Sequence, residues 1–167
     1  SWAGPYATRL LADMGAEVIK IEAPAHWDLL RSYTGQPPTV ERVWDRSPYF
    51  NHYNRNKYGC ALDLSNPRGR ELFLRLVEDA DVVIENYRAE AMGNLGLTYE
   101  TLREVNPQLI MVSMPGHGKD GPESGFVAYG TNVEQLAGLA HLTGYEGAHQ
   151  PQKTGISYGA PMAGIAA

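Results

Sequence analysis

Residues 81–113 read DVVIENYRAEAMGNLGLTYETLREVNPQLIMVS. Asp81 to Asn86 is a near-continuous apolar run, the composition of a strand covered on both faces. Leu109 to Met114 (LIMVSM) has the same character. Between them, Tyr99 to Val105 has the length of a short helix, stopped by Asn106-Pro107 because the residue before a proline is pushed out of the helical region. A strand, a helix and a second strand in one short stretch predict a crossover unit with parallel strands.

The alternation continues on both sides. Gly59 to Leu64 (GCALDL) reads as a strand. Ser65-Asn66-Pro67 opens a helix over Arg68 to Asp79, with Leu72, Phe73, Leu76 and Val77 on one face. Glu17 to Glu22 (EVIKIE) reads as a strand behind a helix over Tyr6 to Gly15. Pro5 suits that helix's first turn, Gly15 its stop, and Leu10, Leu11 and Met14 share a face. Ala23 to Ser47, rich in Pro, Trp and Tyr, reads as a long ordered excursion. Downstream come a glycine-rich loop, Gly116 to Gly125, and a helix over Thr131 to Leu142. Pro161 to Ala167 reads as the beginning of another helix.

Helix, strand, strand, helix, strand, helix, strand specifies an α/β fold with a Rossmann-like, doubly wound parallel sheet. In such sheets ligands bind beyond the carboxyl ends of the strands. The loops after EVIKIE, DVVIEN and LIMVSM are therefore the functional candidates. A strand is expected ahead of the first helix, and this sequence holds none. In a 3-2-1-4 order that strand is central, so two neighbours would lack a partner and residues 1–167 alone would be unstable. Both ends read as cuts, and the sequence is expected to be a fragment of a longer chain.

With 167 residues, the sequence is long enough for one domain with a core. A net charge of −5 without a basic stripe argues against nucleic-acid binding. No apolar run reaches membrane length, and no signal peptide opens the sequence. The single Cys60 cannot form an internal disulfide and fits a reducing, cytoplasmic compartment. Cys60, His26, His52, His117, His141 and His149 show no metal-ligand spacing, so no metal is expected. Neither GxxxxGK[ST] nor GxGxxG after a strand is present. Ser157 lies in GISYG, but a nucleophile elbow needs a preceding strand, which this segment lacks.

What remains is a kit of cations, amides and rings near strand ends. Arg31 follows a strand. Asn54, Arg55, Asn56 and Lys57 cluster before GCALDL, and Asn86, Tyr87 and Arg88 directly follow DVVIEN. A ligand with phosphates and a purine would use such groups: cations for phosphate, an aromatic ring for the base, an amide for polar edges. A solvated rim of ordinary surface cations fits the same composition.

WAGPYATRLLADMGAEVIKIE, NRNKYGCALDL, DVVIENYRAEAMGNLGL, NPQLIMVSMPGHGKDGP and GISYGAPMAG occur in that order across nearly the whole sequence. The set resembles the N-terminal part of family III CoA-transferases, the CaiB/BaiF group that includes formyl-CoA transferase, carnitine CoA-transferase and methylacyl-CoA racemase. Ala89-Glu90 departs from the family's usual Pro-Gly.

The resemblance implies a Rossmann-like large domain, of which residues 1–167 are a part lacking the first strand and the small domain. It also implies an interlocked dimer, of identical or different chains. Its substrates would be acyl-CoA and a carboxylic acid acceptor, with coenzyme A as substrate and no covalent cofactor. Trp2, Ala3, Arg31, Asn56, Lys57, Asn86 and Tyr87 match the family's CoA contacts, with Arg88 beside them. Gly116 and Gly118 belong to a loop, Met114 to Gly125, expected to close over the site.

The family's nucleophilic aspartate falls at Ala160. A methyl group cannot attack a thioester, and Ser157 or Tyr158 would form dead-end esters. No turnover is therefore expected from the sequence as it stands. An engineered change, a silent half of a two-part enzyme, and sequence error or drift all fit Ala160. A lyase variant of the fold is a further alternative. Family racemases need a histidine in the loop before Gln135; FVAYGTNVEQ contains none, which argues against a racemase.

Overall fold

The computed structural model describes residues 2–35, 37, 39–147, 150–152, 155 and 157–167. His149, among the scattered histidines above, lies outside the described residues. The chain begins with helix α1 (Ala3–Asp13), followed by strand β1 (Ile19–Glu22). The excursion then forms two short 3-10 helices, Leu29–Ser32 and Val43–Arg46, and helix α2 (Pro48–Tyr53). Next come β2 (Tyr58–Ala61), α3 (Pro67–Val77), β3 (Val82–Glu85), α4 (Ala91–Asn94), α5 (Tyr99–Val105) and β4 (Ile110–Ser113). Helices α6 (Gly130–Leu136), α7 (Leu139–Leu142) and α8 (Gly159–Ala166) complete it.

The strands are parallel, as the alternation predicts, but they form two pairs rather than one sheet. β1 pairs β2 with Ile19 opposite Tyr58, and β3 pairs β4 with Val82 opposite Ile110. Among the described residues no strand bridges β1 and β3. A common core nevertheless joins the pairs. Phe73, Val77, Met92, Leu97, Leu102 and Leu109 are buried together, with Ile21 of β1, Val83 of β3 and Met111 of β4 packed against them.

In β1, β3 and β4 the residues after the first are more covered, whereas β2 is exposed at both ends. The first residue of each strand is exposed, Ile110 by 60%. Covered on both faces along their length, as DVVIEN and LIMVSM were expected to be, they are not. The covered end is the one where α1 and the loops after the strands converge.

Helix starts follow their caps. The Asn66 side chain accepts from Arg68 N at 2.9 Å, with Pro67 in the first turn. Ser47 caps α2 by accepting from Phe50 N at 3.2 Å. The Ser47 hydroxyl also reaches Tyr33 O at 3.0 Å, which draws the excursion back onto itself.

Two expectations change. The helix over Thr131 to Leu142 is broken, because Gly138 adopts φ 78° and separates α6 from α7. The helix expected over Tyr6 to Gly15 starts earlier, so Ala3 is in its first turn, and its buried face is not the Leu10, Leu11, Met14 face. Ala3, Gly4, Ala7, Arg9 and Ala12 are buried, whereas Met14 is 76% exposed. The cause is close packing of α8. A Cβ added at Gly164 would lie 2.6 Å from Ala3 O, so the two backbones approach over small residues. That contact favours the alanine face over the leucine face.

Candidate functional site

The start of α1 is tied to the ends of β3 and β4 by one amide. Asn86 Oδ1 accepts from Gly4 N at 3.4 Å, and Asn86 Nδ2 donates to Met114 O at 2.6 Å. Gly4 has little room for a side chain, since an added Cβ would sit 3.2 Å from Asn86 Cβ. Beside this junction Trp2 is stacked on Tyr49 at 5.8 Å and on Tyr53 at 5.7 Å between centroids. Its indole therefore belongs to an aromatic stack built by α2, a helix the sequence pattern did not show.

At the end of β3, Tyr87 N donates to Glu85 Oε2 at 2.8 Å, and Glu85 is buried. Burial and the carboxylates of Glu85, Asp28 and Glu22 raise the Tyr87 phenol above its ordinary range. The phenol thus senses the ends of both β1 and β3. Arg88 is exposed, and its guanidinium has no hydrogen bond or ion pair among the described residues.

Arg31 is differently placed. Its Nε and Nη2 grip Glu22 at 2.7 and 3.0 Å, Nη1 reaches Asp45 at 2.9 Å, and its guanidinium lies 3.6 Å over the Phe50 ring. Two carboxylates therefore already answer this cation. Burial opposes ionisation of Glu22, yet the Arg31 hydrogen bonds and the Asp28 amide hold its carboxyl below the usual range.

Asn56 and Lys57 precede β2 rather than follow a strand. Asn56, at φ 60°, donates to Asp13 Oδ1 at 2.8 Å, and Arg55 Nη2 meets Asp13 at 2.6 Å. Asp13 ends α1, so Asn56 lies roughly 13 Å along the helix axis from the Gly4–Asn86 junction, at 1.5 Å per residue. Lys57 turns inward. Its Nζ donates to Pro5 O and Thr8 Oγ1, both at 2.8 Å, and to Asn54 Oδ1 at 3.2 Å. Burial, with the charge of Lys20 and then Arg9, brings its pKa down to about 7.

Ala160 is in the first turn of α8, four residues before Gly164 and so on the same face, the one turned to α1. The starts of α6 and α8 meet through glycines. A Cβ at Gly130 would collide with Ser157 Oγ, and one at Gly159 would lie 2.6 Å from Gly130 O. No side chain of Tyr158 caps α8. Glu134 does so from α6: its Oε1 accepts from Gly159 N at 3.0 Å and from Ser157 Oγ at 2.9 Å. This buried carboxylate was missed by motif reading, because nothing in the sequence marks a residue 26 positions before Ala160 as its neighbour.

The loop after β4 folds down on residues 126–128. A Cβ at Gly116 would collide with Ala128 Cβ, and Gly118 adopts φ 81°. His117 Nδ1 lies 3.4 Å from Glu123 and its ring packs edge-on against Phe126 at 5.8 Å. His117, Phe126, Asn132, Gln135 and Leu136 line a cleft of about 610 Å³. Among the described residues, no group of three His, Cys, Asp or Glu side chains could hold a metal, and no helix is long and apolar enough to cross a membrane.

Residues 1–167 match the description "CoA-transferase family III" throughout. This chain belongs to CoA-transferase family III. Succinate–glutarate CoA-transferase of Agrobacterium fabrum is 41% identical over 166 residues, which cover 98% of this chain and 41% of that protein. Acetyl-CoA:oxalate CoA-transferase of Acetobacter aceti is 41% identical over 142 residues, 85% of this chain and 35% of that protein. A CaiB/BaiF family protein from Brucella suis is 38% identical at a TM-score of 0.83, covering 99% of this chain and 44% of that one. The chain thus spans about two fifths of the length of the relatives it matches.

For a family III chain, the structure sorts the sequence candidates into two groups. Ala3, Asn86 and Tyr87 gather where α1 meets β3 and β4, with Trp2 and Arg88 adjoining in sequence. Arg31, Asn56 and Lys57 are bound to protein acceptors that hold β1, β2 and α1 together.

Proposed function

We propose that the full-length protein containing this chain moves CoA between an acyl-CoA thioester and a carboxylic acid, and that this chain carries CoA-binding groups of its large domain. The observation that carries the proposal is the junction of α1 with Asn86, flanked by Trp2, Ala3 and Tyr87 and beside the exposed cation of Arg88. Arg88 is the cation best placed to bind a phosphate, because among the described residues no carboxylate competes for it. Arg31 and Lys57 serve phosphate less directly: each would have to leave acceptors it already holds.

Short-chain acyl groups and small dicarboxylic acids are the first substrates to try, following the names of the relatives. The loop bearing Gly116 and Gly118 would close over the bound thioester. A dimer of interlocked chains, identical or different, completes the picture, and the single thiol of these 167 residues, Cys60, suits a reducing cytoplasm.

At position 160 the route through an aspartyl intermediate is closed, since Ala160 has no nucleophile. Ala160 also favours a second reading, a non-catalytic CoA-binding subunit of a two-part transferase. The experiment is CoA titration of the full-length protein by calorimetry, with Arg88→Ala and Asn86→Ala variants. Weaker binding in both variants with unchanged unfolding of the Arg88 variant supports the reading. Absence of CoA binding by the parent protein refutes it.

A further inference from the structure

We propose that Lys57 is a positioning residue for CoA: it acts through Thr8 and Gly4 on the Asn86 junction and does not itself hold a phosphate. The inference rests on the CoA-binding reading above.

One hydrogen-bonded path crosses the start of α1. Asn54, anchored on α2 by donating to Phe50 O at 2.9 Å, accepts from Lys57 Nζ at 3.2 Å. Lys57 Nζ donates to Pro5 O and to Thr8 Oγ1, both at 2.8 Å. The Thr8 hydroxyl in turn donates to Gly4 O at 2.9 Å. Gly4 N donates to Asn86 Oδ1 at 3.4 Å, and Asn86 Nδ2 donates to Met114 O at 2.6 Å. The path therefore runs from the end of α2 to the end of β4. It joins two residues, Lys57 and Asn86, that the sequence offered as separate ligand contacts.

The Lys57 amine is built as a clamp. An ammonium group has three N–H donors, and three protein acceptors take them. A phosphate would have to displace one of these acceptors. A neutral amine has only two donors, so losing the proton releases one acceptor. The charged groups around it pull both ways. Lys20 of β1 and Arg9 of α1 oppose the ammonium, whereas Asp28 and Asp13 favour it. Arg9 itself meets His52 of α2 at 2.7 Å. Burial, the largest influence, and the two cations prevail and bring the pKa to about 7. The protonated clamp is thus lost as pH rises through neutrality, and CoA affinity falls with it.

Thr8 separates positioning from direct contact, because Thr8→Val removes the relay hydroxyl without touching any charge. The experiment titrates CoA into the full-length protein by calorimetry at about pH 6 and about pH 8, either side of the Lys57 transition. The variants are Lys57→Met, Thr8→Val, Thr8→Ser and the Lys57→Met/Thr8→Val double. Urea unfolding shows which are folded, and the two Thr8 variants carry the test if Lys57→Met is not. At about pH 6, Lys57→Met and Thr8→Val are each expected to weaken binding by about 3- to 10-fold. Thr8→Ser keeps the hydroxyl and the parent affinity. The double variant binds no more weakly than Lys57→Met, since both changes break one path. The parent's loss of affinity between the two pH values is absent from Lys57→Met. Parent-like binding by Thr8→Val overturns the inference and leaves the CoA-binding reading standing; if Lys57→Met is then weakened alone, Lys57 touches the ligand directly. Additive losses, or identical pH profiles in the parent and Lys57→Met, overturn it as well. Absence of CoA binding by the parent overturns both.

Discussion

Asn86 and Gly4, 82 residues apart in sequence, are joined at 3.4 Å through the Asn86 Oδ1 and the first turn of α1. The same amide donates to Met114 O, so one side chain positions the start of a helix against the ends of two strands. Replacing it with alanine leaves a backbone N–H and a carbonyl without these partners. Asn86→Ala is expected to cost about 1–3 kcal/mol. Urea unfolding of the full-length protein checks the cost, and an unchanged midpoint would contradict this role for the amide.

Gly164 sets the distance between α8 and α1. Any side chain there meets Ala3 O, Tyr6 Cβ and Ala7 N within 3.2 Å. Gly164→Val forces the helices apart at a cost of about 1–3 kcal/mol, the usual range for overpacking. The same change moves Ala160 away from α1. Thermal unfolding measures the loss, and CoA titration measures the displacement.

Lys57 gives a pH signature. Its folded pKa of about 7 lies below its ordinary 10.5. Between those values the unfolded chain holds a proton that the folded chain has released. Stability therefore rises with pH through this window, by linkage. Lys57→Met removes the titrating group and flattens the dependence. Unfolding midpoints of both proteins near neutral pH and at about pH 9 give the comparison, the parent gaining more than the variant.

Glu22 has the opposite sign. Its folded pKa is lowered despite burial, so its contribution is present above the ordinary carboxylate range and is lost as pH falls through the folded value. Arg31→Ala removes three hydrogen bonds to carboxylates and is expected to cost about 1–3 kcal/mol at neutral pH. Its acid limb is then shallower than the parent's. Parallel acid limbs would contradict the assignment.

How far the sequence reached can be followed in particular elements. The α5 helix, expected over Tyr99 to Val105 with Asn106-Pro107 as its stop, forms over those residues, and the structure adds Thr98 as its cap. All four strands were placed, but β2 only in part: Gly59 to Leu64 was expected and Tyr58–Ala61 forms. α2 was not: its six residues carry no helical period and are stabilised by Ser47 and by aromatic contacts to Trp2. The α1 burial was misread because periodicity favours large side chains, whereas a close helix crossing selects small ones. Ordered motifs identified the family, and Asn86 and Tyr87 were legible as site candidates from their place after β3. Glu134 was not, since its nearness to Ala160 arises from the way α6 and α8 start against each other. The direction of Lys57 was likewise set by tertiary acceptors, Pro5 O and Thr8, far from it in sequence.

The most direct measurement is peptide-mapped intact mass of full-length Ala160→Asp after incubation with succinyl-CoA. The account predicts a covalent CoA thioester at position 160, because that residue occupies the first turn of α8 on the face that Gly164 packs against α1. A protein that neither binds CoA nor gains an adduct would contradict it.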